Sequence, residues 1–162
     1  MTTPRDPPVQ DGLAQRGKHW RLWVGTDGVV RCMLEGDQDA ASVERLLEAL
    51  ANIAAKVPER PLRLLYYGHR AVRLAPEARE RLVAACRAHV NLRLAIVRAS
   101  PFALIQARAV ARHSGRTFSF HDSEPEALQA LGVAVPPARP VLRPPSKDPP
   151  PWPDLGVVDH VA

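Results

Sequence analysis

The side chains able to do chemistry gather where short apolar runs give way to loops. Gly68, His69 and Arg70 follow Leu62-Arg63-Leu64-Leu65-Tyr66-Tyr67, and Arg98 and Ser100 follow the run from Leu92 to Val97. In a parallel α/β sheet the loops outside the carboxyl ends of the strands form the binding crevice, so His69, Arg70, Arg73, Arg98 and Ser100 are expected around one site. His69 and Ser100 at such ends have the types of a base and a nucleophile, with Glu77, His113 and His121 as further candidate groups. Against catalysis, Ser100 stands before Pro101 in the position of a helix N-cap, and His121-Asp122 has the look of a turn. His69 reads as a solvated loop histidine, and no GxSxG, HExxH, P-loop or GxGxxG occurs. The expectation is therefore a non-enzyme. Arginines beside a helix N-terminus do hold anions, which makes a small anionic or lipid-like ligand the alternative to a protein partner.

The two cysteines, Cys32 and Cys86, form no CxxC or Cys/His cluster and suit buried thiols in a reducing compartment, so no metal, disulfide or cofactor is implied. No apolar run is long enough to span a membrane, and the first residues lack a secretory pattern, from which a soluble, cytoplasmic protein is expected. The net charge of +5 is unevenly spread: residues 60–116 hold twelve basic and two acidic residues, whereas residues 18–59 hold five and seven. A basic middle fits an acidic protein face or solvated arginine-rich helices. The lack of interleaved exposed aromatics argues against single-stranded nucleic acid.

These groups need elements to position them. Trp20, Leu22 and Val24 alternate with Arg21 and Trp23 as in a half-buried strand. Asp27-Gly28 supplies a type I′ turn, and Val30, Cys32 and Leu34 return antiparallel. Asp39 caps a helix with Val43, Leu46, Leu47, Leu50 and Ile53 on one side. Leu62 to Tyr67 forms a strand buried on both faces; the Gly68 to Glu77 loop then leads into a helix begun by Pro76, with Ala78, Leu82 and Cys86 inward. Leu92 to Ala99 is the least polar strand and is expected at the sheet centre. Ser100-Pro101 starts a third helix, Ser114-Gly115 ends it, Thr117 to Phe120 forms a last strand, and Ser123-Glu124-Pro125-Glu126 is a capping box. A hairpin followed by three strand-helix units makes an α/β fold with helices packed on a layered sheet.

Residues 1–17 are expected to be a disordered arm, residues 18–132 one domain, and residues 133–162 a proline-rich tail. Trp152, Leu155 and Val157 make that tail apolar enough to serve as a docking peptide.

Four places carry a family resemblance: the Trp20-to-Gly36 hairpin ending Leu-Glu-Gly, the Leu62-to-Tyr67 strand, Ala-Ile-Val-Arg-Ala-Ser from Ala95 to Ser100, and Phe118-Ser119-Phe120 followed by Glu126-Ala127-Leu128. Over about Trp20 to Leu131 the chain resembles the STAS domain, the SpoIIAA-like fold of bacterial anti-sigma-factor antagonists, and more closely its STAS/SEC14-like cytoplasmic branch. The resemblance implies a non-catalytic regulatory module that binds a protein or a second copy of itself. The surface expected to do so is the Gly68 to Glu77 loop with Arg79, Arg87 and the basic second and third helices. In the signalling antagonists a serine in the matching loop is phosphorylated. Here that span is Arg73-Leu74-Ala75-Pro76, without a hydroxyl, so the family's phosphoacceptor carries over to no residue.

Overall fold

The computed structural model describes residues 9–133 except 59 and 90. In chain order it contains β1 (Val9–Arg16), β2 (Trp20–Gly25), β3 (Val30–Leu34), β4 (Gly36–Gln38), α1 (Ala40–Lys56), β5 (Leu62–Tyr67), β6 (Ala71–Leu74), α2 (Pro76–Ala88), β7 (Leu92–Val97), α3 (Pro101–Ser114), β8 (Ser119–His121) and α4 (Glu124–Ala130). One sheet runs β1-β2-β3-β5-β7-β8, and β4 pairs with β6 in a separate two-stranded ribbon. The first three strands of the large sheet are antiparallel and β3, β5, β7 and β8 are parallel.

Helices cover both faces. Leu22, Val24, Val30, Cys32 and Leu64 pack with Leu46, Ala49 and Ile53 of α1 on one side, while Val29, Leu65, Ala95 and Val97 pack with Ala127 and Leu131 of α4 on the other. The α2 helix packs between α1 and α3. Asp39 caps α1 by accepting from the Ser42 N–H, Ser100 caps α3 by accepting from the Ala103 N–H, and Gly115 ends α3 in the left-handed region at φ 69°. Ser123 accepts from the Glu126 N–H at 3.5 Å.

Several expectations change. Val9–Arg16, placed by the sequence in a disordered arm, is a strand that adds to β2; its pairing groups are backbone atoms, which the sequence VQDGLAQR, lacking a regular apolar alternation, does not reveal. The hairpin turn is not type I′, because Gly28 alone has positive φ (78°). Instead the Gly25 N–H bonds to the Val29 carbonyl across a three-residue loop. The Gly68 to Glu77 loop contains β6, whose partner β4 follows the hairpin directly. β7 is interior but lies next to the edge strand β8, so β3 and β5 form the centre. The last strand is Ser119–His121 rather than Thr117 to Phe120. Trp152, Leu155 and Val157 lie outside the described residues.

The largest difference is on the second face of the hairpin, expected to meet solvent. Trp23 is 2% exposed and stacks on Tyr67 with ring centroids 5.8 Å apart, and its cross-strand partner Arg31 is 0% exposed. The Arg31 guanidinium donates to both Asp27 carboxylate oxygens at 2.9 and 2.8 Å and to Glu124 Oε1 at 3.2 Å. Gly25 makes room for it: a Cβ there would stand 2.3 Å from Arg31 Nη1. Burial alone would raise the Asp27 pKa, but hydrogen bonds and charge from Arg31, with the Val29 N–H and Arg63, outweigh it and hold the carboxyl below its usual value. For Arg31, burial works against the charge, and Asp27 foremost, with Tyr67 and Glu124, more than restores it.

Removing the cation leaves two part-buried carboxylates close together. Arg31→Met is expected to lower stability by roughly 3 kcal/mol in urea unfolding, less than for a wholly buried pair because both carboxylates retain some solvent. Adding Asp27→Asn to that variant should recover part of the loss. Because the Asp27 pKa is depressed on folding, its contribution is present at neutral pH and disappears as pH falls through the native value. An Arg31→Met midpoint equal to wild type would remove the ion cluster from the account of stability.

Candidate functional site

Because β3, β5, β7 and β8 are parallel, the residues after them meet at one edge of the sheet. Gly68 leaves β5 with its N–H on the Val97 carbonyl at 3.1 Å and its own carbonyl accepting from the Ser100 N–H at 3.3 Å. A Cβ on Gly68 would come within 3.1 Å of Ala99 Cα, so glycine allows the loop to close on the β7–α3 junction. Arg98, in that junction, has φ 51°, unusual for a residue with a side chain, and its N–H bonds to the His121 carbonyl. Gly68, His69, Arg70, Arg98 and Ser100 therefore do assemble, as the strand order requires.

The details differ from the chemistry considered above. Ser100 Oγ accepts the Ala103 N–H, which confirms its capping task. His69 is half-buried rather than solvated, with Nδ1 enclosed and without a hydrogen-bond partner among the described residues. Burial first, then the nearby Arg70 and Arg98 charges, lower its pKa, with Glu35 opposing. Arg70 lies 3.7 Å from Glu35, which also meets Arg21 at 3.6 Å. Arg87 does not belong to this edge: its guanidinium donates to the His113 carbonyl and fastens the far ends of α2 and α3, beside Arg116 bonded to the Cys86 and Arg87 carbonyls. Glu77 is exposed and Arg79 half-buried on the first turns of α2.

The structure also holds a concavity that the sequence does not announce. A cavity of about 140 Å³ opens between the sheet and the helix layer. Its floor includes Leu64, Tyr66, Leu94 and Ile96; its roof is Leu46, Leu47 and Leu50 of α1, Leu82, Ala85 and Cys86 of α2, and Ala103, Ala107 and Val110 of α3. The lining runs from Arg73 and Leu74, before α2, to His89, after it, so the space follows that 13-residue helix. Such a helix is about 20 Å long. The wall stays uncharged between those ends: burial pushes the Cys32 thiol up to about 12 and raises the Tyr66 pKa further above its ordinary value. Gln38 at the wall spends its amide on the His19 and Glu35 carbonyls and the Ser42 hydroxyl. The one available signal was alanine at inward positions 85, 103 and 107, small residues where a filled core calls for large ones.

No protein-family model matches the chain, and no curated protein is significantly similar to it in sequence. Among solved structures, an uncharacterized protein of the DUF3478 family from Shewanella loihica PV-4, described as having a SpoIIAA-like fold, superposes with a TM-score of 0.52. The match is 14% identical and covers 81% of this chain and 99% of that one. The fold is therefore SpoIIAA-like, of the STAS type, as the sequence resemblance implied. Among the described residues no helix is long and apolar enough to cross a membrane, and no three His, Cys, Asp or Glu side chains are grouped to hold a metal ion.

The depressed His69 pKa has a measurable consequence. The unfolded chain takes up a proton on His69 at higher pH than the folded chain does, so stability is lost as pH falls below about 6.5 and until the native value is passed. Urea midpoints between pH 8 and 5 should decline more for wild type than for His69→Gln. Parallel profiles would show that the enclosed imidazole is not linked to folding.

Proposed function

We propose that this domain is a non-catalytic binding module that takes a slender apolar molecule into the cavity beneath α2. The observation that carries the reading is the predominantly apolar lining along that helix, interrupted by few polar side chains, among them Gln38 and Gln106. Packed interiors rarely keep such a space without strain or an occupant, and apolar cavities of this size stay dry and admit small hydrocarbons. The candidate nucleophile is occupied as a helix cap, and both cysteines are free thiols with raised pKa.

A regulatory partner surface is the second reading. It is favoured by Ile105, 65% exposed, and Phe102, 38% exposed, three residues apart on α3 beside the basic positions Arg108 and Arg112. Self-association or an acidic protein would suit that surface; Arg87, bound to the α3 end, contributes less to it than the sequence alone suggests. The two readings are compatible, since Phe102 belongs both to the exposed patch and to the cavity wall.

The cavity reading is tested with 1-octanol and the full-length chain. Burying most of an eight-carbon chain is worth on the order of 5 kcal/mol, a dissociation constant of about 0.1–1 mM by calorimetry. Ala107→Phe, which fills the space, should abolish binding without lowering the thermal midpoint; Ala85→Leu serves the same purpose if the larger ring is not accommodated. No heat from wild type, or unchanged binding by the folded variants, would refute the assignment.

A further inference from the structure

The two ends of the cavity are electrically different, and this restricts what fills it. At one end stands Arg73, the only lysine or arginine in the lining, exposed and without an ion pair or side-chain hydrogen bond among the described residues. Its register partner across the β4–β6 ribbon is Asp37, also exposed, yet the two side chains form no salt bridge. The same end lies under the starts of α2 and α3, where Phe102 and Ala103 line the wall and partial positive charge from the helix dipoles accumulates. Arg70 and Arg98 follow the neighbouring strands, and their charges add to burial in lowering the His69 pKa. The opposite end is lined by His89, the C-cap of α2, and there the guanidinium groups of Arg87 and Arg116 are already engaged by the closing carbonyls of α3 and α2.

We infer that the ligand is an amphiphile with an unbranched apolar tail and an anionic head, a carboxylate or phosphate ester, lying along α2 with the head on Arg73. This rests on the cavity reading above and adds to it both chemical class and direction. The arginine suits the task because its aliphatic stem covers apolar wall while its planar fork meets two oxygens of one head group in solvent. A neutral chain would use the same space without using Arg73.

The test compares octanoate with 1-octanol, equal in length and unequal in charge, on the full-length protein at low salt and neutral pH. Octanoate is expected to bind at least tenfold more tightly than octanol to wild type. In Arg73→Gln the two should become equal, with octanol affinity unchanged, and Arg73→Lys should restore part of the preference. Equal wild-type affinities would overturn the anionic head while leaving the cavity assignment in place. A preference that survives Arg73→Gln would overturn the placement of the head. Binding of neither compound would overturn the cavity assignment and this inference together.

Discussion

A guanidinium with no solvent exposure has to be surrounded by acceptors, and much of the second face of this sheet follows from that requirement. Arg31 projects from a central strand into a layer of Trp23, Tyr67 and Leu65, where an unpaired charge would be prohibitive. Its fork takes both oxygens of Asp27, which fixes the hairpin loop, and one oxygen of Glu124, which fixes the start of α4. Gly25 must lack a side chain for the fork to pass. One side chain thus couples a turn, a strand and a helix separated by 93 positions, and α4 can seal the apolar patch of Val29, Leu65 and Val97 although it has only seven residues.

The first face is built differently. There α1 supplies branched and long side chains and its contact with the hairpin is dense, whereas α2 and α3 present alanines toward the sheet. Helices with small inward residues can stand over a sheet without filling the space below, provided their ends are tied. The arginines at the far end do this: Arg87 and Arg116 bind the closing carbonyls of α3 and α2, and Arg81 reaches Glu44 on α1. The roof is therefore pinned at its edge while its middle stays loosely packed, an arrangement suited to holding a slender guest.

The arginine-rich middle of the chain consequently serves several purposes. Arg87 and Arg116 are staples, Arg108 stacks over Phe120 at 5.6 Å, and Arg70 approaches Glu35. Among the described residues Arg73 and Arg98 remain exposed at the carboxyl edge without a carboxylate partner. Part of the positive charge of residues 60–116 is thus used to tie elements together, while Arg73 and Arg98 present it where the parallel strands end and Arg108 and Arg112 present it along α3.

Local signals were legible because they act over a few residues. Asp39 and Ser100 cap helices as their types require, Gly115 takes the left-handed turn, and the order of hairpin and strand-helix units led to the STAS-type fold that the Shewanella loihica structure shares. The assembly of Gly68, His69, Arg70, Arg98 and Ser100 followed from parallel strands alone. What the tertiary structure decided depends on pairs distant in sequence: that Arg31 points inward because Glu124 awaits it, that Val9–Arg16 finds the edge of β2, that β4 and β6 pair, and that Arg87 spends its charge on His113. The cavity belongs to the same group. An alanine at position 85, 103 or 107 states its own volume, but the space it leaves is set by how far α2 and α3 stand from the sheet, a distance to which no single segment of sequence has access.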